Sequence, residues 1–261
     1  MKRQLWCSVC GETSFSDKSV IWDALAAEWE LAPHERAYVD RQQGTACRGC
    51  GCNLRSIALS NAIRAAVGTD ATLQEFVRTQ AASRLSILEV NEAGGLTPIL
   101  RNLPGRVFAR YPEVDMQALP YEVGSFDLIL HSDTLEHVSQ PLLALAECKR
   151  VLRLGGTLCF TIPIIVGRLS RSRAGLPPSY HGDPSTGAED FLVQTEFGVD
   201  AWTYLIQAGF EATTLNVIEF PSAIAISAKK PFMPGIRDEK GSRLENARSL
   251  QAPESEPVSN S

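Results

Sequence analysis

The sequence predicts an α/β protein: a doubly wound, mostly parallel sheet preceded by a small module built around cysteines. Two observations predict it. From Leu85 onward, short apolar strand signals alternate with amphipathic helix signals, the pattern of a sheet whose strands are joined by crossover helices. Ahead of that, five of the seven cysteines fall at Cys7, Cys10, Cys47, Cys50 and Cys52, a clustering unlike a disulfide framework spread along a short secreted chain. At 261 residues there is room for one sizeable domain and one small module.

The first element is the cysteine module, residues 1–53. "CSVCG" and "CRGCGC" are two Cys-x-x-Cys knuckles, and a turn of that kind presents two sulfurs to one ion. Zinc held by Cys7, Cys10, Cys47 and Cys50 is the expectation, because these four form two matching turns. Cys52 is either a spare thiol or a replacement for Cys50. Four thiolates leave no open coordination position, so this zinc is structural and supplies folding energy. Gly11, Gly49 and Gly51 suit the tight turns. Between the knuckles Trp22, Leu25 and Trp29 have helical spacing. Arg48, Arg55 and Arg64 are read as solvated or packing charges, with contact to an anionic partner as the sharper alternative.

Residues 54–84 come next. "RSIALSNAIRAAV" and "ATLQEFVRTQAASR" have helix-forming composition, punctuated by Gly68 and Asp70. They predict two helices that bridge the module to the main domain, residues 85–230. There "LSILEV", "GRVFAR", "SFDLILHS", "TLCFTIPII", "EATTLNVIEF" and "SAIAISAKK" read as strands. "GLTPILRNL", "QPLLALAECKRVL" and "FGVDAWTYLIQAGF" read as helices, the second with Pro141 in its first turn and the glycines of "RLGG" at its end. Residues 231–261 are polar, with scattered proline and serine, and read as a disordered tail. In sheets of this kind ligands sit beyond the carboxyl ends of the strands. The positions to inspect are therefore Glu89 to Gly95, the surroundings of Asp115, Ser132 to His137, and Pro163 onward.

The blocks "ILEVNEAGG", "VDMQALPYEVGSFDLILHSDTLEHV" and "ALAECKRVLRLGGTLCFTIPI" resemble the class I methyltransferases that use S-adenosylmethionine (SAM), of the type 11 kind, over about Leu85 to Lys229. The resemblance implies a Rossmann-like fold with a seven-stranded sheet, here trimmed after the second strand because the chain between Gly95 and Asp115 is short. It implies SAM as cofactor, with Glu89 at the acidic position ending the first strand, Val90 beside it, and Asn91, Ala93 and Gly95 at three positions that are glycine in the family. Only the third is glycine here. The family's acidic residue after the second strand, which holds the ribose, is replaced by Arg110 or Tyr111, leaving Glu92 or a water to take its part. Asp115 and Met116 match the place where a carboxylate meets the adenine amine and an apolar side chain packs on the ring. Ser132 and Asp133 complete the cofactor set. The module in front, and "YHGDP" and "EFGVDAW" behind, resemble a bacterial subgroup acting on sugars or other small metabolites.

For catalysis the titratable candidates are His131, His137 and His181. "DTLEHV" places Asp133 and His137 four residues apart, and His181 sits in a loop with Asp183 nearby. His181 and His137 are the predicted catalytic residues, removing a proton from an acceptor held in line with the methyl group. Asp200 and Trp202 line the same pocket or cap and pack the following helix. Arg168, Arg171 and Arg173 in "GRLSRSRAG" are solvated loop charges, or a lid for an anionic acceptor group.

The expected activity is methyl transfer to a small-molecule acceptor, a sugar derivative, at oxygen. Two rivals are a methyltransferase fold that has lost catalysis and serves as a scaffold, and an RNA or protein methyltransferase docking through the zinc module. A net charge of −5 and a pI of about 5.5 weigh against nucleic acid. No apolar run approaches the roughly 18 to 20 residues of a membrane span. "MKRQLWCSVCGE" lacks the apolar core of a secretory signal, so the expected location is cytoplasmic. Nothing in the sequence fixes the oligomeric state.

Overall fold

The computed structural model describes residues 4–180 and 191–231, which form one compact unit. Its N-terminal part runs β1 (Phe15–Ser16), α1 (Asp23–Glu28), α2 (Pro33–Gly44) and β2 (Ala46–Cys47), with β1 and β2 paired antiparallel. Trp22 precedes α1 and is 62% exposed, so the expected stripe of Trp22, Leu25 and Trp29 does not form one buried face.

Three helices follow where the sequence predicts two: α3 (Leu54–Val67), α4 (Leu73–Phe76) and α5 (Gln80–Ser83). The extra break has a local cause. Thr72 and Thr79 each accept a hydrogen bond from the backbone N–H three residues on, so "ATLQEFVRTQAASR" carries two helix starts instead of one. Asn53 caps α3 in the same way, from Ser56 N at 3.0 Å. Gly68 stops it in the left-handed conformation, φ 68°, as helix ends commonly do.

The main sheet is built from β3 (Ile87–Val90), β4 (Arg106–Ala109), β5 (Phe126–Ser132), β6 (Leu152–Thr161), β10 (Thr213–Ile218) and β11 (Ala223–Lys229), with α6 (Thr97–Leu100), α7 (Pro141–Val151) and α8 (Trp202–Gln207) among the connections. Strand order is β10-β11-β6-β5-β3-β4. The four strands from β4 to β6 are parallel, and β11 is antiparallel to both neighbours. Six strands stand where the family pattern has seven. Residues 110–125 pass from β4 to β5 through turns, without an intervening strand, and this is the trimming after the second strand. A second, small sheet joins β7 (Ile164–Ile165), β9 (Thr195–Gly198) and β8 (Arg171–Ser172). "FGVDAW" thus divides between the end of β9 and the start of α8.

The glycines of "RLGG" do not cap α7. The chain turns extended at Leu152 and runs straight into β6. Gly155, at φ +79°, sits where the β5–β6 register shifts between Phe126 and Leu128, a bulge that only a residue tolerant of left-handed geometry accepts cheaply.

Side-chain alternation along the strands sets two layers. Ile87, Leu128 and Leu130 face the cluster that includes α3 and the cysteine module. Leu88, Val90 and Ile129 face the cluster with α7 and α8. Helix α3 lies on β11, β6 and β10 and buries Leu54, Ile57, Ala58, Leu59, Ala62 and Ile63. Residues 54–84 are therefore not a linker. They form one outer layer of the sheet, and the cysteine module is carried on its near end. The tail from residue 232 and residues 181–190 lie outside the described residues.

Gly44 closes α2 against the turn before α1, and a Cβ there would overlap the Lys18 carbonyl oxygen. Gly44→Ala should destabilise the fold by about 1–3 kcal/mol, the usual range for overpacking a site that has no room. Thermal unfolding checks this, the expected result being a lowered Tm.

Candidate active site and metal centre

The two knuckles share one backbone design. Cys7 N and Cys47 N donate to the carbonyls of Glu12 and Cys52 at 2.9 Å each, and Gly11 N and Gly51 N donate back to Cys7 O at 2.7 Å and Cys47 O at 2.9 Å. Gly11 and Gly51 make these turns possible by adopting φ +87° and +77°; Gly49 has no such φ. The sulfurs of Cys7, Cys10, Cys47 and Cys50 lie within 4.8 Å of one another. Cys7 Sγ is 3.6 Å from Cys50 Sγ, and Cys10 Sγ is 3.5 Å from Cys47 Sγ. A tetrahedral zinc with Zn–S bonds of about 2.3 Å requires S–S edges of about 3.8 Å, so the donor set fits that ion. Burial pushes the Cys7 thiol up and holds Cys10 up at about 11; a bound cation supplies the charge that makes thiolates favourable there.

Cys52 stands outside this set. Its thiol donates to the Gly95 carbonyl at 3.4 Å, and burial raises its pKa, so it is a packing thiol. Its place is decisive for the loop that follows β3. Gly95 N donates to Ser56 Oγ at 3.1 Å, and a Cβ on Gly95 would come within 3.2 Å of both Cys52 Sγ and Ser56 Oγ. The glycine at the family's third loop position therefore admits the start of α3, and Gly95 does not line the cleft. A bulky residue at Gly95 would first displace α3.

The cleft itself, about 1330 Å³, opens at the carboxyl ends of the parallel strands, where open α/β sheets bind ligands. Val90 and Asn91 line it after β3, Asp115 and Met116 after β4, and Ser132 and Asp133 after β5. Glu89 and Ala93 do not. Glu89 is fully buried, accepts from Ala93 N at 2.9 Å and from Thr97 Oγ1, and pairs with Arg106 Nε at 2.5 Å. Bonded at both oxygens and fully buried, it folds the loop from behind the cleft. Asn91 takes φ +56°, and its Oδ1 accepts from Tyr111 N at 3.0 Å, tying this loop to the end of β4. Glu92 is exposed on the cleft wall. Asp115 Oδ1 accepts from Gln117 N at 2.8 Å, and Met116 is buried beneath it.

The structure adds Arg55, which the sequence left among solvated or packing charges. From the first turn of α3 it reaches the cleft and forms an ion pair with Asp133, a residue held at φ +48°. Burial lowers the guanidinium pKa to about 10, opposed by the nearby Glu136 carboxylate, so it stays charged at neutral pH. Its position five residues past Cys50 of the second knuckle was the only sequence signal. Arg48 and Arg64 instead bond backbone carbonyls, at Phe15 and at Asp70 and Ala71.

His137 lines the cleft. Its Nδ1 lies 3.1 Å from the Leu192 carbonyl, which can only accept, so Nδ1 carries the proton and Nε2 has the lone pair of a neutral ring. Nε2 is 3.7 Å from Oε1 of Glu136, which is 1% exposed. A carboxylate there stabilises the imidazolium that forms on taking a proton. His131 is not in the cleft. It is fully buried in β5 and stacked on Phe160 at 4.7 Å, and burial lowers its pKa to about 4. His181 and Asp183 fall outside the described residues; Tyr180 and Phe191, which flank them, both line the cleft. Asp200 pins Ser170 N and Oγ at 2.7 Å each, and Trp202 opens α8 on the surface. Neither lines the cleft.

Residues 48–160 match the family described as "Methyltransferase domain". That stretch, less than half of the chain, is similar to methyltransferase domains. A malonyl-[acyl-carrier protein] O-methyltransferase of Laribacter hongkongensis is 33% identical over 117 residues, 43% of this chain and 36% of that protein. The chain thus matches about a third of the length of that curated relative. Among solved structures, a putative methyltransferase from Bacillus halodurans superposes at TM-score 0.37 with 13% identity, covering 61% of this chain and 97% of the other. The CurJ carbon methyltransferase gives 0.41 with 14% identity, covering 80% and 69%. Superpositions at these scores add nothing to the assignment. No helix among the described residues is long and apolar enough to cross a membrane.

Metal analysis should find about one zinc per chain, and Cys10→Ser should lower that content and the unfolding temperature together. A fully folded, metal-free wild-type protein would refute the centre.

His131 gives a pH signature. Its folded pKa of about 4 lies below the ordinary 6.5, so the unfolded chain binds more protons between these values and stability falls as pH drops through that window. Between pH 7 and 5 the loss from this group should be about 2 kcal/mol. Urea unfolding at the two pH values should show His131→Phe losing that much less than wild type.

Proposed function

We propose that the protein is a SAM-dependent methyltransferase that methylates a small-molecule acceptor, with oxygen as the receiving atom. The observation that carries this is the cleft at the strand ends, in which Asn91, Asp115 and Met116 stand on one side and the His137–Glu136 pair on another. SAM, when bound, supplies the activated methyl group. Asp115 would hold the adenine amine through its carboxylate, and Met116 would pack on the ring. Glu92 would take the ribose hydroxyls: it lines the cleft together with Arg110 and Tyr111, one of which replaces the family's carboxylate, and its own side-chain carboxylate makes no hydrogen bond or ion pair with another described residue. Arg55 would fix Asp133 and so the floor beneath the cofactor.

His137 would accept the proton of an acceptor hydroxyl on Nε2, with Glu136 stabilising the resulting cation. That need for a base favours oxygen. A sugar derivative is the acceptor class that the sequence resemblance suggests. The scaffold reading draws support from Asn91 and Ala93 at glycine positions, yet neither side chain fills the cleft: Ala93 is buried behind it and Asn91 is turned to Tyr111.

Calorimetric titration separates these readings. Wild type should bind both SAM and its demethylated product, and Glu92→Ala should weaken both by about ten- to a hundredfold, the worth of a charged hydrogen-bonding group. Absence of binding by wild type would leave the scaffold. With an acceptor that turns over, His137→Gln should cut the rate by about 10²- to 10⁴-fold while SAM affinity holds.

A further inference from the structure

The cleft continues past the strand ends to a wall that the cysteine module supplies. Trp29 and Leu31, after α1, and Val39 and Gln42, on α2, line it, facing Ile164 and Ile165 of β7. The wall is fixed in place. Tyr38 Oη accepts from Val166 N at 3.1 Å, and Arg168 pairs with the buried Glu35 at 2.5 Å. The volume of about 1330 Å³ exceeds the roughly 300–1,000 Å³ of an ordinary small-molecule site, so one ligand does not fill it.

Two features define what this end accepts. First, its arginines are already matched: Arg168 with Glu35, and Arg171 and Arg173 with Glu196. An anionic group would find no unpaired cation among them, and the reading of "GRLSRSRAG" as an anion-binding lid loses its basis. Second, Gln42 lines the cleft; its side-chain amide bonds no other described residue and is open to the cleft, where an occupant would meet both its donor and its acceptor.

We propose that this wall is the acceptor subsite of the methyltransferase and that it takes an uncharged acceptor with an apolar body, its polar group hydrogen-bonded by Gln42. The proposal rests on the methyltransferase reading for its role in the reaction. The module then does more than hold zinc, because one face of it selects the acceptor.

The test uses the full-length protein, with and without saturating S-adenosylhomocysteine, titrated with two neutral probes and one anion: 4-nitrophenyl β-D-glucopyranoside, 4-hydroxybenzamide and glucose 6-phosphate. At least one neutral probe should bind in preference to the phosphate. Gln42→Leu should weaken it tenfold or more, with Tm and S-adenosylhomocysteine affinity unchanged. Preference for glucose 6-phosphate, failure of both neutral probes, or undiminished binding by Gln42→Leu overturns the proposal. If Gln42→Leu alters Tm, the shorter Gln42→Asn takes its place and should show the same loss. Neutral-probe binding in a protein that ignores S-adenosylhomocysteine would instead overturn the methyltransferase reading and leave the neutral site standing.

Discussion

The join between the first turn of α3 and the loops after β3 and β5 is the contact on which the rest depends. Cys52 and Ser56 hold the carbonyl and the amide of Gly95, and Arg55 holds Asp133. Each link is short, and each joins residues just past the second knuckle to a strand-end loop. Sterics make the join specific, since Gly95 has no side chain to keep Cys52 and Ser56 away. Electrostatics make it firm, since a buried arginine that lost its carboxylate would leave an uncompensated charge. The geometry of the cleft floor is thereby set from outside the sheet as well as by it.

This join also explains why the loop after β3 looks worn when compared with the family pattern. A glycine there can serve two masters: a ligand on one side and a helix on the other. Here Gly95 serves the helix. Glu89, buried with Arg106 and Thr97, shapes the loop from below, and Asn91 meets the demand for a left-handed residue by using its own side chain on Tyr111. The loop retains its path with fewer glycines because neighbouring side chains now fix what backbone freedom would otherwise permit.

Much of the fold was legible in the sequence because strands and helices of this class announce themselves by apolar runs and caps. β3, β5, β6 and β11 follow from uninterrupted apolar stretches, and α7 from Pro141 and its periodicity. The cluster of Cys7, Cys10, Cys47 and Cys50 followed from spacing, since a knuckle is a local turn. What was not legible depends on contacts between distant residues. Nothing in "CNLRS" says that Arg55 reaches Asp133 or that Ser56 meets Gly95. Nor does "RQQG" reveal that Gln42 lines the same cleft as Ile164, more than a hundred residues further along the chain. His131 shows the converse: a polar residue near a strand end that is core, because alternation along β5 puts it on the face of Ile129, stacked on Phe160.

The ion pairs of the module also set an order of assembly. The four sulfurs lie within the first 50 residues of the chain, so the metal centre can close as soon as those residues exist. The links that seat the module do not follow until much later: Gly95 and Asp133 first, then Arg168 for Glu35, and finally Glu219 for Arg41, 178 residues away. During synthesis the module is thus a small body waiting for its seat, with the apolar side of α3 exposed until β6, β10 and β11 arrive to cover it. Long-range closures of this kind slow folding and leave apolar surface open in the interval. An ion held by the four sulfurs would matter most in that interval, when the first fifty residues have no seat to hold them together.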